Sequence, residues 1–146
     1  MSKPVNLIVA GMLLAMSAVA ETLIKESEAR LPPAPVTATA TRSITRGPGI
    51  RILSPDAGSL SLASPFPLRI AFEPHGGAKI DPSTVRLTYL RSPSVDLTER
   101  VKAGLSENGI DLKAAEAPPG EHQIRVSVQD SDGRQSNVVL NLNVTR

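Results

Sequence analysis

Residues 121–145 read EHQIRVSVQDSDGRQSNVVLNLNVT, and this stretch decides the fold. Ile124, Val126 and Val128 alternate with Arg125 and Ser127. After a break, Val138, Leu140, Leu142 and Val144 alternate with Val139, Asn141 and Asn143. A period of two sends one residue set into a core and the other into water, as a half-buried antiparallel strand requires. Between the runs lies Asp130-Ser131-Asp132-Gly133-Arg134, whose Asp and Gly residues suit a tight turn. The stretch is read as a β-hairpin.

The same period recurs towards the N-terminus. Ile50 and Ile52 flank Arg51. Leu68, Ile70 and Phe72 alternate with Arg69 and Ala71, and Val85, Leu87 and Tyr89 alternate with Arg86 and Thr88. Val101, Ala103 and Leu105 are set to face Ile110, Leu112 and Ala114 across Glu107-Asn108-Gly109, because Asn-Gly is a strong hairpin signal. Turn chemistry separates the runs at Ser54-Pro55-Asp56-Ala57-Gly58, Glu73-Pro74-His75-Gly76-Gly77 and Pro118-Pro119-Gly120. About seven short strands at this spacing predict an all-β fold, an antiparallel β-sandwich or a small barrel. One run is ambiguous. In Asp96–Ala103 (DLTERVKA), Thr98 followed by Glu and Arg caps a helical turn as readily as it starts a strand.

Composition limits the function classes. The 146 residues fit one domain of ordinary size. Sixteen Lys and Arg stand against fourteen Asp and Glu, which excludes a strongly basic nucleic-acid binder and an acidic solvating tail. There is no Cys and no Trp, so the core must be aliphatic, with Tyr89, Phe66 and Phe72 as its aromatics. With two His and no Cys, a closed Cys/His zinc site is impossible.

The first twenty residues, MSKPVNLIVAGMLLAMSAVA, are read as a signal peptide of bacterial type. Lys3 precedes an apolar stretch that ends in Ala18-Val19-Ala20, and small residues at the last and third-last positions suit a signal peptidase. Cleavage is expected between Ala20 and Glu21. The alternative is an uncleaved anchor, but about 16 apolar residues fall short of a bilayer core of about 30 Å. After cleavage no membrane span is expected, and the chain is periplasmic or secreted. Residues 21–47 are read as a tail or linker, because LPPAPVTATATRSIT is rich in Pro, Ala and Thr and buries little apolar surface. The domain proper is expected at 48–146.

Ala117-Pro118-Pro119-Gly120-Glu121-His122 leading into a strand, the turn at 130–134 and a last strand to Val144 together resemble the closing hairpin of bacterial immunoglobulin-like domains, with their fibronectin-type and cadherin-like relatives. Ile52-Leu53-Ser54-Pro55-Asp56-Ala57-Gly58 resembles the opening strand and turn of the same group. The resemblance spans about residues 48–146 and implies an immunoglobulin-like sandwich of about seven strands that serves as a spacer, adhesive module or interaction surface. It carries no catalytic residues. The Ser-Pro opening and the Pro-Gly turn also look like periplasmic copper carriers. Those use His and Met donors, whereas here Glu21 stands at the expected mature N-terminus, Arg134 follows Asp132-Gly133, and Met1, Met12 and Met16 leave with the signal.

Asp130 and Asp132 are the candidate metal ligands, two carboxylates one residue apart with Gly133 for the turn, and the hard ion they suit is Ca²⁺. The competing reading is a plain hairpin turn; Asp56, Asp81 and Glu73 would join a calcium site only if folding gathered them. His122 shares the parity of Ile124 and reads as a boundary residue, while His75 sits in a Pro/Gly turn. Neither lies in a nucleophile or metalloprotease motif, so no catalytic residue and no cofactor is expected. Arg69, Arg86 and Arg125 would form a basic stripe only if their strands shared a sheet. The function expected is a non-catalytic structural or protein-interaction module of the cell envelope, meeting an unknown envelope protein through an edge strand or through the loops Asp56–Ser61, Glu73–Lys79 and Asp130–Arg134. The alternative is a small-ligand or calcium-binding periplasmic carrier.

Overall fold

The computed structural model describes residues 2, 21–35, 47–55 and 61–145. Most of the signal sequence with Ala20, the stretch 36–46 and most of the Asp56–Ser61 loop lie outside the described residues. The protein is mostly strand. In chain order the elements are β1 (Glu21–Thr22), α1 (Glu26–Ala29), β2 (Gly49–Ser54), β3 (Leu62–Ala63), β4 (Phe66–Glu73), β5 (Ile80–Tyr89), β6 (Val95–Asp96), α2 (Thr98–Val101), β7 (Leu105–Ser106), β8 (Gly109–Glu116), β9 (Gly120–Asp130) and β10 (Gln135–Thr145).

They form two five-stranded sheets. The first runs β1-β8-β4-β2, with β7 also on β8; the second runs β3-β10-β9-β5-β6. One core serves both. Leu68, Ile70, Ile110 and Leu112 come from the first sheet, and Leu87, Tyr89, Ile124, Val126, Leu140 and Leu142 from the second, all buried in a single cluster. The period-two residues therefore do what the pattern predicts. The hairpin of β9 and β10 pairs from Gln135 with Gln129 through to Val144 with Gly120.

Three local readings need correcting. Val101 does not lie in a strand: Thr98–Val101 is α2 and Lys102–Gly104 a 3-10 turn, so only Leu105–Ser106 pairs across the Asn-Gly turn. The cause is Asp96, whose Oδ1 accepts the Thr98 N–H at 2.9 Å and its hydroxyl at 2.6 Å, fixing a helical start. Gly109 is required at the turn. Its φ is +144°, and a Cβ there would lie 1.8 Å from the Ile70 carbonyl oxygen. Along β8 the parity then slips, since Phe66 pairs with Ala115 but Leu68 with Leu112. The bulge turns Ala115 rather than Ala114 into the core.

The third correction concerns the tail. Residues 21–35 lie on the domain. Glu21 and Thr22 pair in parallel with Ala115 and Glu116, and the N–H groups of Leu23 and Ile24 both donate to the Glu116 carbonyl. Leu23 and Ile24 are 1% and 2% exposed. Arg100 then holds the segment by donating to the Leu23 carbonyl at 3.0 Å and to the Glu28 carboxylate at 2.6 Å. Ten residues too short to fold alone become ordered because the domain supplies an apolar seat and a half-buried cation.

Candidate functional site

At one end of the sheets, the turn joining β9 to β10 gathers the two acids singled out above. Asp130 is buried. Its Oδ1 accepts the N–H groups of Asp132 at 3.0 Å and Arg134 at 2.9 Å, and its Oδ2 accepts Arg134 Nε at 3.1 Å. Arg134 Nη2 also donates to Asp132 Oδ2 at 2.9 Å. Burial works to raise the Asp130 carboxyl, but the two backbone N–H groups and the guanidinium outweigh it, and the group is held below the usual carboxylate range. A carboxylate so engaged is a turn lock, with Arg134 standing where a cation would sit. Among the described residues, no three His, Cys, Asp or Glu side chains gather into a metal-binding group. Glu73 faces Arg51 at 3.4 Å, and Asp81 accepts the Ser83 hydroxyl at 2.6 Å. We expect Ca²⁺ at about 1 mM, the range of extracellular calcium modules, to leave Tm unchanged in a thermal-shift assay; a rise would restore the calcium reading.

The structure brings two of the candidate loops together here. The Ser131 N–H donates to the Lys79 carbonyl at 2.7 Å, the Lys79 N–H to Ser131 Oγ at 2.9 Å, and Arg134 Nη2 to the His75 carbonyl at 3.4 Å. His75 itself is exposed. The basic stripe does not form as a set of three: Arg69 is in the first sheet, beside Asp111 at 3.7 Å, while Arg86 and Arg125 are in the second.

The opposite end holds a buried polar network that the sequence did not reveal. His122 is 2% exposed and Tyr89 fully buried. His122 Nε2 lies 2.7 Å from the Pro118 carbonyl, which can only accept, so Nε2 carries the proton. Nδ1 is therefore bare and accepts the Tyr89 hydroxyl at 2.7 Å. Arg91 completes the chain. Its Nε donates to the Tyr89 oxygen at 3.0 Å, Nη2 to the Glu121 carbonyl at 3.1 Å and Nη1 to the Leu31 carbonyl at 3.2 Å. Arg91 thus clamps the N-terminal segment a second time, beside the Ser92 N–H, which donates to the Pro32 carbonyl at 2.9 Å. Burial lowers the imidazole below its ordinary value, the Pro118 bond opposes this, and the Arg91 charge lowers it further. His122 is a neutral structural group. The parity of His122 with Ile124 foretold burial, but its partner lies 33 residues away on β5 and no local signal names it.

The third feature is the seat of β1 on β8. Pairings on the outer side of β8 involve residues 109–110 with β7 and residues 115–116 with β1. Between them lies a cavity of about 310 Å³ lined by Glu21, Ala103, Gly104, Asp111, Leu112 and Lys113. Glu21 Oε2 is buried there without a hydrogen-bond partner among the described residues. Of the two residues at the expected cleavage site, Ala20 lies outside the described residues and Glu21 belongs to this edge.

No family model and no curated protein matches the chain. Among solved structures, a crystal structure of an engineered protein from a structural-genomics consortium is similar, with 14% sequence identity and a TM-score of 0.45. The match covers 68% of this chain and 20% of that one. No helix among the described residues is long and apolar enough to cross a membrane.

Proposed function

We propose that the chain is exported, that residues 48–146 form an immunoglobulin-like β-sandwich, and that this domain is a non-catalytic interaction module of the cell envelope, working in the periplasm or outside the cell. The observation that carries the reading is the seat on β8. There the domain takes up an extended segment far away in sequence as an added strand, with Leu23 and Ile24 as its apolar anchors. Strand addition is a common mode of peptide recognition, in which main-chain bonds give affinity and side-chain pockets give selectivity. The division of strands supports the sandwich reading: β2, β4 and β8 share one sheet, β5, β9 and β10 the other, and β3 pairs in parallel with β10. Cleavage between Ala20 and Glu21 would keep the whole β8-binding segment in the mature chain.

Leu53 gives the test a handle, because it is 52% exposed on β2, an edge of the first sheet. A photo-crosslinking residue at position 53 of the full chain, expressed in cells, is expected to trap one reproducible envelope protein. Recovering nothing above a control that carries only the signal peptide would overturn the interaction reading.

A further inference from the structure

Glu21 Oε2, buried and without a hydrogen-bond partner among the described residues, has an unusual address. A buried carboxylate oxygen without a donor forfeits hydration with no replacement, and such groups are uncommon in folded proteins. This one belongs to the residue that follows Ala18-Val19-Ala20, and it lies where β1 meets β8, with Glu21 in register with Ala115. In the uncut chain the Glu21 backbone offers a single amide N–H. Hydrolysis of the Ala20–Glu21 peptide bond adds one water: Ala20 leaves with a carboxylate, and Glu21 keeps the nitrogen, protonated as an ammonium. That ammonium has three N–H donors and a positive charge. It is joined to the Glu21 carboxylate through the residue's own short side chain, so rotation about its bonds brings the two within hydrogen-bond reach, and a donor remains for the edge of β8.

We propose that the N-terminus created by cleavage before Glu21 is a structural part of this protein, its ammonium supplying a donor to Glu21 Oε2, which has none among the described residues, and fastening β1 to β8. The inference rests on the export reading. The uncut chain leaves Glu21 Oε2 without a hydrogen-bond partner among the described residues, and the mature chain would close a charge pair there. The ammonium also sits at the start of the segment in which Leu23 and Ile24 are buried, so tightening β1 secures both anchors. Lys113 also lines the cavity and is the competing cation.

The experiment uses four proteins in a double-mutant cycle. Two begin at Glu21, made by a protease that leaves no extra residue, and two retain Ala18-Val19-Ala20 ahead of it; each pair is made with Glu21 and with Glu21→Gln. Exposing the native N-terminus is expected to raise Tm by about 4 °C or more when Glu21 is present. With Glu21→Gln the gain should shrink to less than half. Equal gains in both backgrounds, or no gain in either, would overturn the proposal. So would a gain that appears only in a further pair carrying Lys113→Ala, which would assign the carboxylate of the intact protein to Lys113. The exact N-terminus is built in vitro, so these outcomes do not depend on what cells do. N-terminal sequencing of the exported chain tests the export reading separately, and a start other than Glu21 would sink that reading by itself.

Discussion

Replacing Leu23 or Ile24 by Ala should destabilise the protein by about 2–5 kcal/mol, measured as a shift in urea midpoint at unchanged slope. Both side chains are almost wholly buried in the common core cluster, at 1% and 2% exposure. Truncation removes transfer free energy and leaves a cavity that β8 cannot close, since its backbone there is bonded to β4 as well as to β1. The cost has a ceiling. Once it exceeds the free energy of docking residues 21–35, the segment leaves the domain and further truncation changes nothing, so the double variant should fall short of the sum of the singles. Ser27→Ala, on the exposed side of α1, should stay within about 0.5 kcal/mol. Losses below that value at both Leu23 and Ile24 would return residues 21–35 to the role of a solvated tail.

The contrast shows where the sequence was readable. Strands β4, β5, β9 and β10 were legible because burial on one face imposes a period of two, and Leu68–Phe72, Val85–Tyr89 and Ile124–Val128 carry it without interruption. Residues 21–30 carry no period. Their two anchors are adjacent and followed by Lys25, Glu26 and Glu28, so the segment reads as polar, and what buries it is a site on β8 some ninety positions away. The bulge that replaces Ala114 by Ala115 is equally silent, because two consecutive alanines offer no choice of face. The Asp130 turn was half legible. Its acids were visible and so was Arg134 four residues on, but proximity in sequence does not say that the guanidinium folds back to occupy the carboxylates. His122 marks the general limit. Parity placed it inward, while Tyr89, whose hydroxyl makes its burial tolerable, comes from another strand, and Arg91 from just beyond that strand's end.

That network should make stability fall as pH drops below about 6.5, the ordinary histidine value. The folded imidazole titrates below that value, chiefly because it is buried and secondarily because Arg91 is near. Between the folded and unfolded values the unfolded chain binds a proton that the folded chain refuses, so acid favours unfolding. The contribution is fully present above pH 6.5 and is lost progressively as pH falls towards the folded value. Asp130 and Glu28 act in a lower window: their folded values are depressed below 3.8 and 4.5, so their contributions are present above those values and fade only in stronger acid. Urea midpoints measured from pH 7.5 to 5 should therefore decline in the native chain and stay flatter in His122→Phe, whatever the starting stability of that variant. Direct titration of the His122 ring by NMR gives the decisive reading. A midpoint at or above 6.5 would mean that the site welcomes charge, and the Tyr89–His122 bond would then need the opposite polarity, with the imidazole donating. A midpoint below it would tie the Arg91 clamp on Leu31 to a neutral histidine, so the N-terminal segment should loosen in acid together with the network that holds it.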